Sequence, residues 1–296
     1  MLTFIKNLFR AQSSASVEVK TKPLSREHLK RTAGESMHVE PQQLVIGCGQ
    51  SVGRQRDHNE DSLFAMTSVM SDGEMELPFG IFIVSDGMGG HQHGEVASSV
   101  ATRVMAEHLV REVYSRVISP SIANIESLHE IMEEGVRKAQ QAVLSKAPGG
   151  GTTLTVALVL GERITLAHIG DSRAYLIRPD EKLEAITKDH SLVGRLIELG
   201  QITEEEAAIH PQRNVLYRAL GQAEPFEPDL DMQVFPMPGI LMLCSDGLWG
   251  VVAESDICRI VENSSSLPEA CKNLVDAANE AGGPDNISVI LVEYLD

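Results

Sequence analysis

One stretch constrains this sequence more than any other: a short apolar run that ends in an acid and a group of glycines. Ile81-Phe82-Ile83-Val84 is rich in β-branched and aromatic residues, which favour a buried strand. Ser85-Asp86-Gly87-Met88-Gly89-Gly90-His91 follows it directly. A carboxylate at the end of a buried strand is held rigidly, and glycines let backbone carbonyls approach whatever it binds. Hard cations such as Mg²⁺ and Mn²⁺ prefer such oxygens. The simpler interpretation is a strand that ends in a tight Asp-Gly turn.

Acids recur at the ends of other predicted strands, which favours the cation interpretation. These acids are Glu60 and Asp61, Asp171, Asp246, and Asp285. Each one alone is compatible with ordinary turn chemistry. Together they place several carboxylates at strand ends, with almost no histidine or cysteine among them. That ligand set suits Mg²⁺ or Mn²⁺ rather than zinc.

The order of predicted elements favours an α+β fold. The predicted strands cover 44–47, 62–68, 79–85, 152–160, 163–169, 172–177, 183–187, 230–235, 240–244 and 287–294. The predicted helices cover 95–116, 121–145, 192–199, 203–209, 255–261 and 267–281. Because strands and helices do not alternate regularly, a doubly wound parallel sheet is disfavoured. A central β-sandwich of two mostly antiparallel sheets, flanked by helix pairs, fits this order better.

The composition limits the classes of function. A net charge of −17 argues against nucleic-acid binding, since a phosphate backbone needs a basic surface. It does not exclude phosphate chemistry, because bound cations can reverse the local field. The four cysteines form no Cys-x-x-Cys pair, which argues against a zinc ribbon and fits the reducing cytoplasm. No apolar run approaches the roughly 20 residues that cross a bilayer, so we expect a cytoplasmic protein without integral membrane contact.

Residues 1–43 differ from the rest of the chain. They are polar and lack sustained periodicity, which predicts a flexible N-terminal extension. The apolar residues at 1–10 are interrupted by two cations, so a signal peptide is rejected. A short membrane-surface helix is the alternative to a frayed terminus. We expect residues 44–296 to form one domain, since no repeat divides them.

Seven short motifs occur in order from about residue 44 to the end of the chain. They are Gly53-x-x-Arg56-x-x-Asn59-Glu60-Asp61, Val84-Ser85-Asp86-Gly87-Met88-Gly89-Gly90-His91, Gly151-Thr152-Thr153, Gly170-Asp171-Ser172-Arg173, Thr187-x-Asp189-His190-Ser191, Cys244-Ser245-Asp246-Gly247-Leu248-Trp249 and Asp285-Asn286-Ile287-Ser288. In this order they resemble the PPM/PP2C family of metal-dependent serine/threonine protein phosphatases, in its bacterial form. One such match would be weak, but seven in order are very specific.

The resemblance implies a metal cluster of two or three Mn²⁺ or Mg²⁺ ions at one end of the sandwich. It implies that Asp86 bridges two ions, with Asp246 and Asp285 on the first. The carbonyl of Gly87 and the side chain of Glu60 would serve the second, partly through water.

The resemblance also assigns the remaining site residues. Asp171 together with Asp246 would hold a third, weaker ion. Arg56 would bind the substrate phosphate. Asp61 and Asn286 would orient metal-bound water and the ligand carboxylates.

The implied reaction is hydrolysis of phosphoserine and phosphothreonine on proteins by a water that bridges two metals. The implied partners are phosphorylated protein substrates and a bacterial Ser/Thr kinase that the enzyme opposes in signal transduction, and the protein is expected to be a monomer. Residues 194–218 match the family's flap, where a substrate-selecting segment and an ordinary helical hairpin are equally good interpretations. Eukaryotic members carry a histidine after Asp-Gly, but Met88 stands there in this chain. The source of the leaving-group proton therefore stays open.

Two rival functions remain to be weighed. Cys48 and Arg54 have the spacing of the cysteine-based tyrosine phosphatase signature, in which a thiolate attacks phosphorus inside a backbone loop. No histidine precedes this cysteine and no apolar helix follows the arginine. The other rival is a catalytically silent PP2C-fold module for binding or sensing, which would predict missing metal ligands.

Overall fold

The apolar run that dominates the sequence forms the centre of strand β3 (Glu76–Ser85), which is buried on both faces. Phe82 and Val84 face the interior between two sheets, whereas Ile81 and Ile83 pack in the core under the helices. Successive side chains of a strand point to opposite faces, so a strand between two apolar layers reads as a continuous apolar run. The structure, a computed structural model, describes residues 41–71, 76–89, 92–119, 127–179, 182–222 and 226–295.

The described residues form two five-stranded sheets and one two-stranded ladder, in which every pairing is antiparallel. The first sheet has the order β1 (Gln43–Ser51), β12 (Ile287–Leu295), β11 (Ile240–Cys244), β8 (Arg173–Arg178) and β9 (Lys182–Ala185). The second has the order β10 (Asp229–Val234), β7 (Arg163–Ile169), β6 (Leu154–Leu160), β3 and β2 (Ser62–Ser71). The ladder joins β4 (Gly87–Met88) and β5 (Gly151–Thr152). The predicted α+β class and central β-sandwich are confirmed.

Helices cover the outer faces of both sheets. On the second sheet lie α1 (Gln92–Leu109), which continues through a π-helical turn (Val110–Tyr114) and a last α-helical turn (Ser115–Val117), and α2 (Leu128–Lys146). On the first sheet lie α6 (Glu254–Asn263) and α7 (Leu267–Glu280). Three shorter helices are α3 (Leu192–Glu198), α4 (Glu204–Ala208) and α5 (Asp246–Trp249). The predicted helix pairs are therefore confirmed.

Several predicted boundaries differ from the observed ones. The strand predicted over 152–160 is divided at Thr153, because β5 pairs with β4 whereas β6 pairs with β3 and β7. Helix α5 follows β11 directly and was not predicted, since four residues carry no helical periodicity. The helix predicted from residue 121 is described from Leu128 onward, and residues 120–126 lie outside the described residues.

The predicted extension 1–43 also lies outside the described residues, apart from 41–43. Gln43 already belongs to β1. Among the described residues, no helix is both long enough and apolar enough to cross a membrane.

Antiparallel pairing gathers the acid-bearing strand ends at one end of the sandwich. In the second sheet Ser62 pairs with Ser85, so the start of β2 lies beside the end of β3. In the first sheet Cys244 pairs with both Arg173 and Val289, so the end of β11 lies beside the starts of β8 and β12. The link from β7 to β8 crosses between the two sheets at this same end. The fold therefore brings together the five acid-bearing segments that the sequence separates.

Candidate metal centre

A cleft of about 420 Å³ opens at this end of the sandwich. The predicted site residues on its wall are Arg56, Glu60, Asp86, Gly87, Asp171, Asp246 and Asp285. The other residues of the wall are Gln55, Asp57, His58, Met88, Gly89, Thr153, Asn214 and Leu216. Asp61 and Asn286 are buried and lie outside this wall. The structure thus brings all the predicted metal ligands to one cleft.

The backbone of Asp86 is fixed by Thr152, the last residue of β5, and by Thr153, which follows it. Its N–H donates to Thr153 Oγ1 at 2.8 Å, and its carbonyl accepts from Thr153 N–H and Thr152 Oγ1, both at 2.9 Å. Thr153 Oγ1 also lies 2.8 Å from Ser172 Oγ, in the link that carries Asp171. The Thr153 hydroxyl therefore connects the two acids' segments. Thr153 stands in one of the seven sequence motifs, but the sequence alone indicated no role for it.

The position after Asp86 has no room for a side chain. A Cβ on Gly87 would lie 2.3 Å from the carbonyl oxygen of Gly94 and 2.6 Å from that of Glu60. The N–H of Gly87 donates to the same Glu60 carbonyl at 3.2 Å. Glycine is needed here because three backbone segments approach each other closely.

Asn286 holds the segment that carries Glu60. Its Oδ1 accepts from the Glu60 N–H at 2.8 Å, and its Nδ2 donates to the carbonyls of Val52 and His58 at 2.8 and 3.0 Å. Its own N–H donates to Asp285 Oδ1 at 2.9 Å. The amide of Asn286 thus binds backbone, and only its main chain touches a predicted ligand carboxylate.

Asp61 is buried behind the cleft between two serines. Its Oδ2 accepts from Ser245 Oγ and Ser288 Oγ, both at 2.7 Å, whereas its Oδ1 is buried without a hydrogen-bond partner in the described structure. Burial raises the pKa of Asp61 to about 7, helped by the charges of Asp246 and Asp285 and opposed by the two serine hydrogen bonds.

The acids on the cleft wall repel each other. Burial, together with the charge of Asp285, raises the pKa of Asp246 to about 6. Burial also raises the pKa values of Asp86 and Asp171, to which neighbouring aspartates add. Oδ1 of Asp246 is buried without a hydrogen-bond partner in the described structure. Such a cluster needs protons or cations to offset its charge.

The donor set fits Mg²⁺ or Mn²⁺. Carboxylates from four strand ends, together with the backbone carbonyl of Gly87, are oxygen ligands for hard cations. Within the described part of the chain, no group of three or more histidine, cysteine, aspartate or glutamate side chains is arranged to hold an ion. Mg²⁺ keeps several waters and is held by one or two carboxylates, so it does not require such a group.

Arg56 lies on the wall but is paired with a predicted ligand. Its Nη2 lies 2.6 Å from Asp285 Oδ2, and its Nε donates to the carbonyl of Pro284 at 3.4 Å. The side chain is 49% exposed. The guanidinium therefore lies at the cleft, as predicted, and contacts Asp285 and the carbonyl of Pro284.

The structure contradicts the tyrosine phosphatase interpretation. Cys48 lies within β1, opposite Ile290, and the strand continues to Ser51. Residues after the cysteine thus form a ladder with β12 and cannot wrap around a phosphate. Partial desolvation raises the pKa of the Cys48 thiol, which disfavours the reactive thiolate.

Two residues on the wall come from the predicted flap, 194–218. Asn214 and Leu216 line the cleft after α4, and Ser191 pairs with Leu216 across a short antiparallel bridge. Thr203 and Glu206 form a capping box at the start of α4. Neither Asn214 nor Leu216 stands in a motif, so no sequence signal marked them individually.

Comparison with known proteins agrees with this geometry. The family described as Protein phosphatase 2C matches residues 48–291. The serine/threonine phosphatase stp of Listeria innocua is 36% identical over 243 residues, which cover 81% of this chain and 92% of that protein. The crystal structure of the serine/threonine phosphatase PstP/Ppp of Mycobacterium tuberculosis has a TM-score of 0.70 at 33% identity, covering 84% of this chain and 98% of that one.

A second solved structure bears on the cations. The catalytic domain of the serine/threonine phosphatase PstP, in complex with two manganese ions, has a TM-score of 0.69 at 32% identity. The match covers 86% of this chain and 99% of that one. Since the family profile and the relatives both span most of the sequence, this chain belongs to the protein phosphatase 2C family of metal-dependent serine/threonine protein phosphatases, in its bacterial form.

Proposed function

We propose that this protein hydrolyses phosphoserine and phosphothreonine on proteins, using a water shared by two divalent cations. The observation that carries this proposal is the convergence of Asp86, Asp246 and Asp285 on one cleft, where burial and neighbouring aspartates raise the pKa values of Asp86 and Asp246. Asp86 would bridge the two ions, with Asp246 and Asp285 on the first. Glu60 and the carbonyl of Gly87 would hold the second.

A third ion is part of the same proposal. Asp171 lies on the cleft wall with Asp246, and the charge of Asp246 adds to the burial that raises the pKa of Asp171. A cation shared by these two carboxylates would offset that repulsion. The donor atoms accept either Mg²⁺ or Mn²⁺.

When bound, the cations lower the pKa of a water molecule and neutralise charge on the transferring phosphoryl group. Arg56 would bind phosphate oxygens, because its planar fork matches them and its exposed side chain can leave Asp285. Asp61 and Asn286 act from behind, by holding the acid-bearing segments in place.

The wider setting is proposed from the family resemblance. We propose a cytoplasmic monomer that opposes a bacterial Ser/Thr kinase in signal transduction. Residues 44–296 would form the phosphatase domain after an extension at 1–43. The flap at 194–218 would select substrates, which agrees with the position of Asn214 and Leu216 on the cleft wall.

The test is hydrolysis of a phosphothreonine peptide in EDTA and after addition of Mn²⁺ or Mg²⁺. We expect activity to disappear with chelator and to return with metal, and Cys48→Ser, a matched control away from the cleft, to retain it. Intact metal binding without hydrolysis would instead favour the silent binding module. Activity that ignores EDTA and is lost in Cys48→Ser would refute the metal mechanism.

A further inference from the structure

His190 lies between the turn that carries Asp171 and the end of the flap. It is 1% exposed and follows β9, shortly before α3 begins. Its N–H donates to the carbonyl of Gly170 at 2.7 Å, and its ring Nδ1 accepts from the N–H of the same glycine at 3.2 Å. Both backbone groups of the residue before Asp171 are thus bound by one histidine.

The turn itself has little freedom. Gly170 has φ +108°, and a Cβ there would lie 2.5 Å from the Thr153 side chain. On the other side, Trp249 Nε1 donates to the carbonyl of Asp171 at 3.0 Å. The position of the Asp171 carboxylate therefore depends on these few hydrogen bonds rather than on a strand ladder.

The opposite side of His190 binds the flap. Its carbonyl accepts from the N–H of Tyr217 at 2.9 Å, and the two rings are 5.7 Å apart. The next hydrogen bond, from Leu192 N–H to the carbonyl of Val215 at 2.8 Å, continues this contact along the chain. Leu216, between these two contacts, is on the cleft wall.

The ring of His190 has distinct roles for its two nitrogens. Because Nδ1 accepts from Gly170, Nε2 carries the proton of the neutral ring. Nε2 lies 3.1 Å from Asp229 Oδ2, so the Nε2–H faces this carboxylate, but the contact lacks the alignment of a hydrogen bond. Asp229 also pairs with Arg218 at 3.1 Å and is 48% exposed. The contact between Nδ1 and Gly170 is buried, whereas Asp229 is half exposed. We therefore expect the Gly170 contact to contribute more to the position of the Asp171 turn.

We infer that His190 is a positioning residue that fixes the Asp171 turn to the flap segment at 214–217, so that cation binding at Asp171 and the substrate-facing wall respond together. This inference rests on the proposed function, in which Asp171 holds a cation. Residues that orient metal ligands from behind typically contribute about 10- to 100-fold to metal affinity or activity.

Two variants distinguish the roles of the two ring nitrogens of His190. In His190→Asn the side-chain oxygen stands near the position of Nδ1 and can still accept from Gly170. In His190→Gln the amide reaches the position of Nε2, towards Asp229, and leaves the Gly170 N–H without its acceptor. Asp229→Asn is the matched control, because it removes the charge beside Nε2 and keeps the Gly170 contact.

The readout is the fluorescence of Trp249, the only tryptophan in the sequence, during titration with Mg²⁺. We expect His190→Gln to raise the Mg²⁺ midpoint by about tenfold or more, and His190→Asn and Asp229→Asn to stay within about threefold of wild type. Peptide hydrolysis at subsaturating Mg²⁺ should follow the same order. An unchanged midpoint in His190→Gln, or an equal rise in Asp229→Asn, would overturn the inference.

A measurement on the wild type covers the case in which His190→Gln does not fold. We expect saturating Mg²⁺ to slow amide hydrogen exchange at Tyr217, whose N–H is bonded to His190 and not to any proposed ligand. Unchanged exchange at Tyr217 would contradict the coupling. If the wild type itself shows neither a Mg²⁺ response nor hydrolysis, the proposed function fails; if it shows both and His190→Gln matches it, only this inference fails.

Discussion

Asp86 and Asp171 line the same cleft, but different kinds of bond hold them in place. Asp86 follows a strand that is paired on both sides, with β2 and with β6. Asp171 lies in the short link between β7 and β8, where His190, Trp249 and Ser172 supply individual hydrogen bonds. The half around Asp86 is thus positioned mainly by the sandwich, and the half around Asp171 mainly by side chains. The first half should be robust to single changes nearby, and the second should be adjustable by them.

The electrostatic character of the two halves is the same. Burial raises the pKa values of both Asp86 and Asp171, and other aspartates add to each shift. The halves therefore differ in mechanical support rather than in charge. Substitutions that remove a charge should be distinguishable from those that remove support.

The largest effect is expected at Asp86, which is a proposed ligand of two cations and is held by the paired strand β3. Asp86→Asn should reduce hydrolysis of a phosphothreonine peptide by about a hundredfold or more, the scale of losing one preorganised electrostatic contact. The metal-free protein should melt at the same or a higher temperature, because a buried repelling charge is gone. A variant that remains active would show that Asp86 is not the shared ligand.

A smaller loss is expected in the half that side chains support. Asp171→Asn should retain part of the activity at saturating Mg²⁺ and lose about 10- to 100-fold at low Mg²⁺. The measurement is the activity as a function of Mg²⁺ concentration for both aspartate variants. Equal losses in Asp86→Asn and Asp171→Asn at every concentration would remove the distinction between the halves.

The hydroxyl of Thr153 connects the halves, and its removal should be the mildest change. Thr153→Val keeps the shape but leaves the Asp86 N–H without its acceptor, which should lower the free energy of unfolding by about 1–3 kcal/mol. Thr165→Val is the matched control, since the Thr165 hydroxyl is buried without a hydrogen-bond partner in the described structure. Denaturant unfolding should show no loss for that control. Equal losses of unfolding free energy in both variants would mean that the Thr153 hydrogen bonds do not contribute specifically to stability.

The strand-supported half could largely be predicted from the sequence. Asp86 and Asp246 each follow an apolar run, and the local pattern alone marks such strand ends. The contacts that support the site could not be predicted from the sequence, because they join residues far apart in the chain. Ser245 and Ser288 reach Asp61 across 184 and 227 positions, and no local pattern encodes such a pairing.

The same limit applies to the other half of the cleft. The role of His190 depends on a turn 20 residues away and on the flap. Asn214 and Leu216 belong to a segment that the sequence marked only by its likeness to a family feature. In both cases the chemistry of the residue is ordinary, and its position in three dimensions makes it relevant.

The most direct test of the central claim is the melting temperature of the protein at pH 5 and pH 8, with and without Mg²⁺. The folded-state pKa values of Asp61 and Asp246, about 7 and about 6, lie above the ordinary aspartate value of 3.8. Between pH 3.8 and these folded-state pKa values, the folded protein binds more protons than the unfolded chain. The stability of the metal-free protein should therefore fall as the pH rises from 5 to 8. Mg²⁺ should restore it, and more at pH 8, where protons no longer compete for the carboxylates. A melting temperature that ignores Mg²⁺ at both pH values would contradict the claim that these buried acids form a cation site.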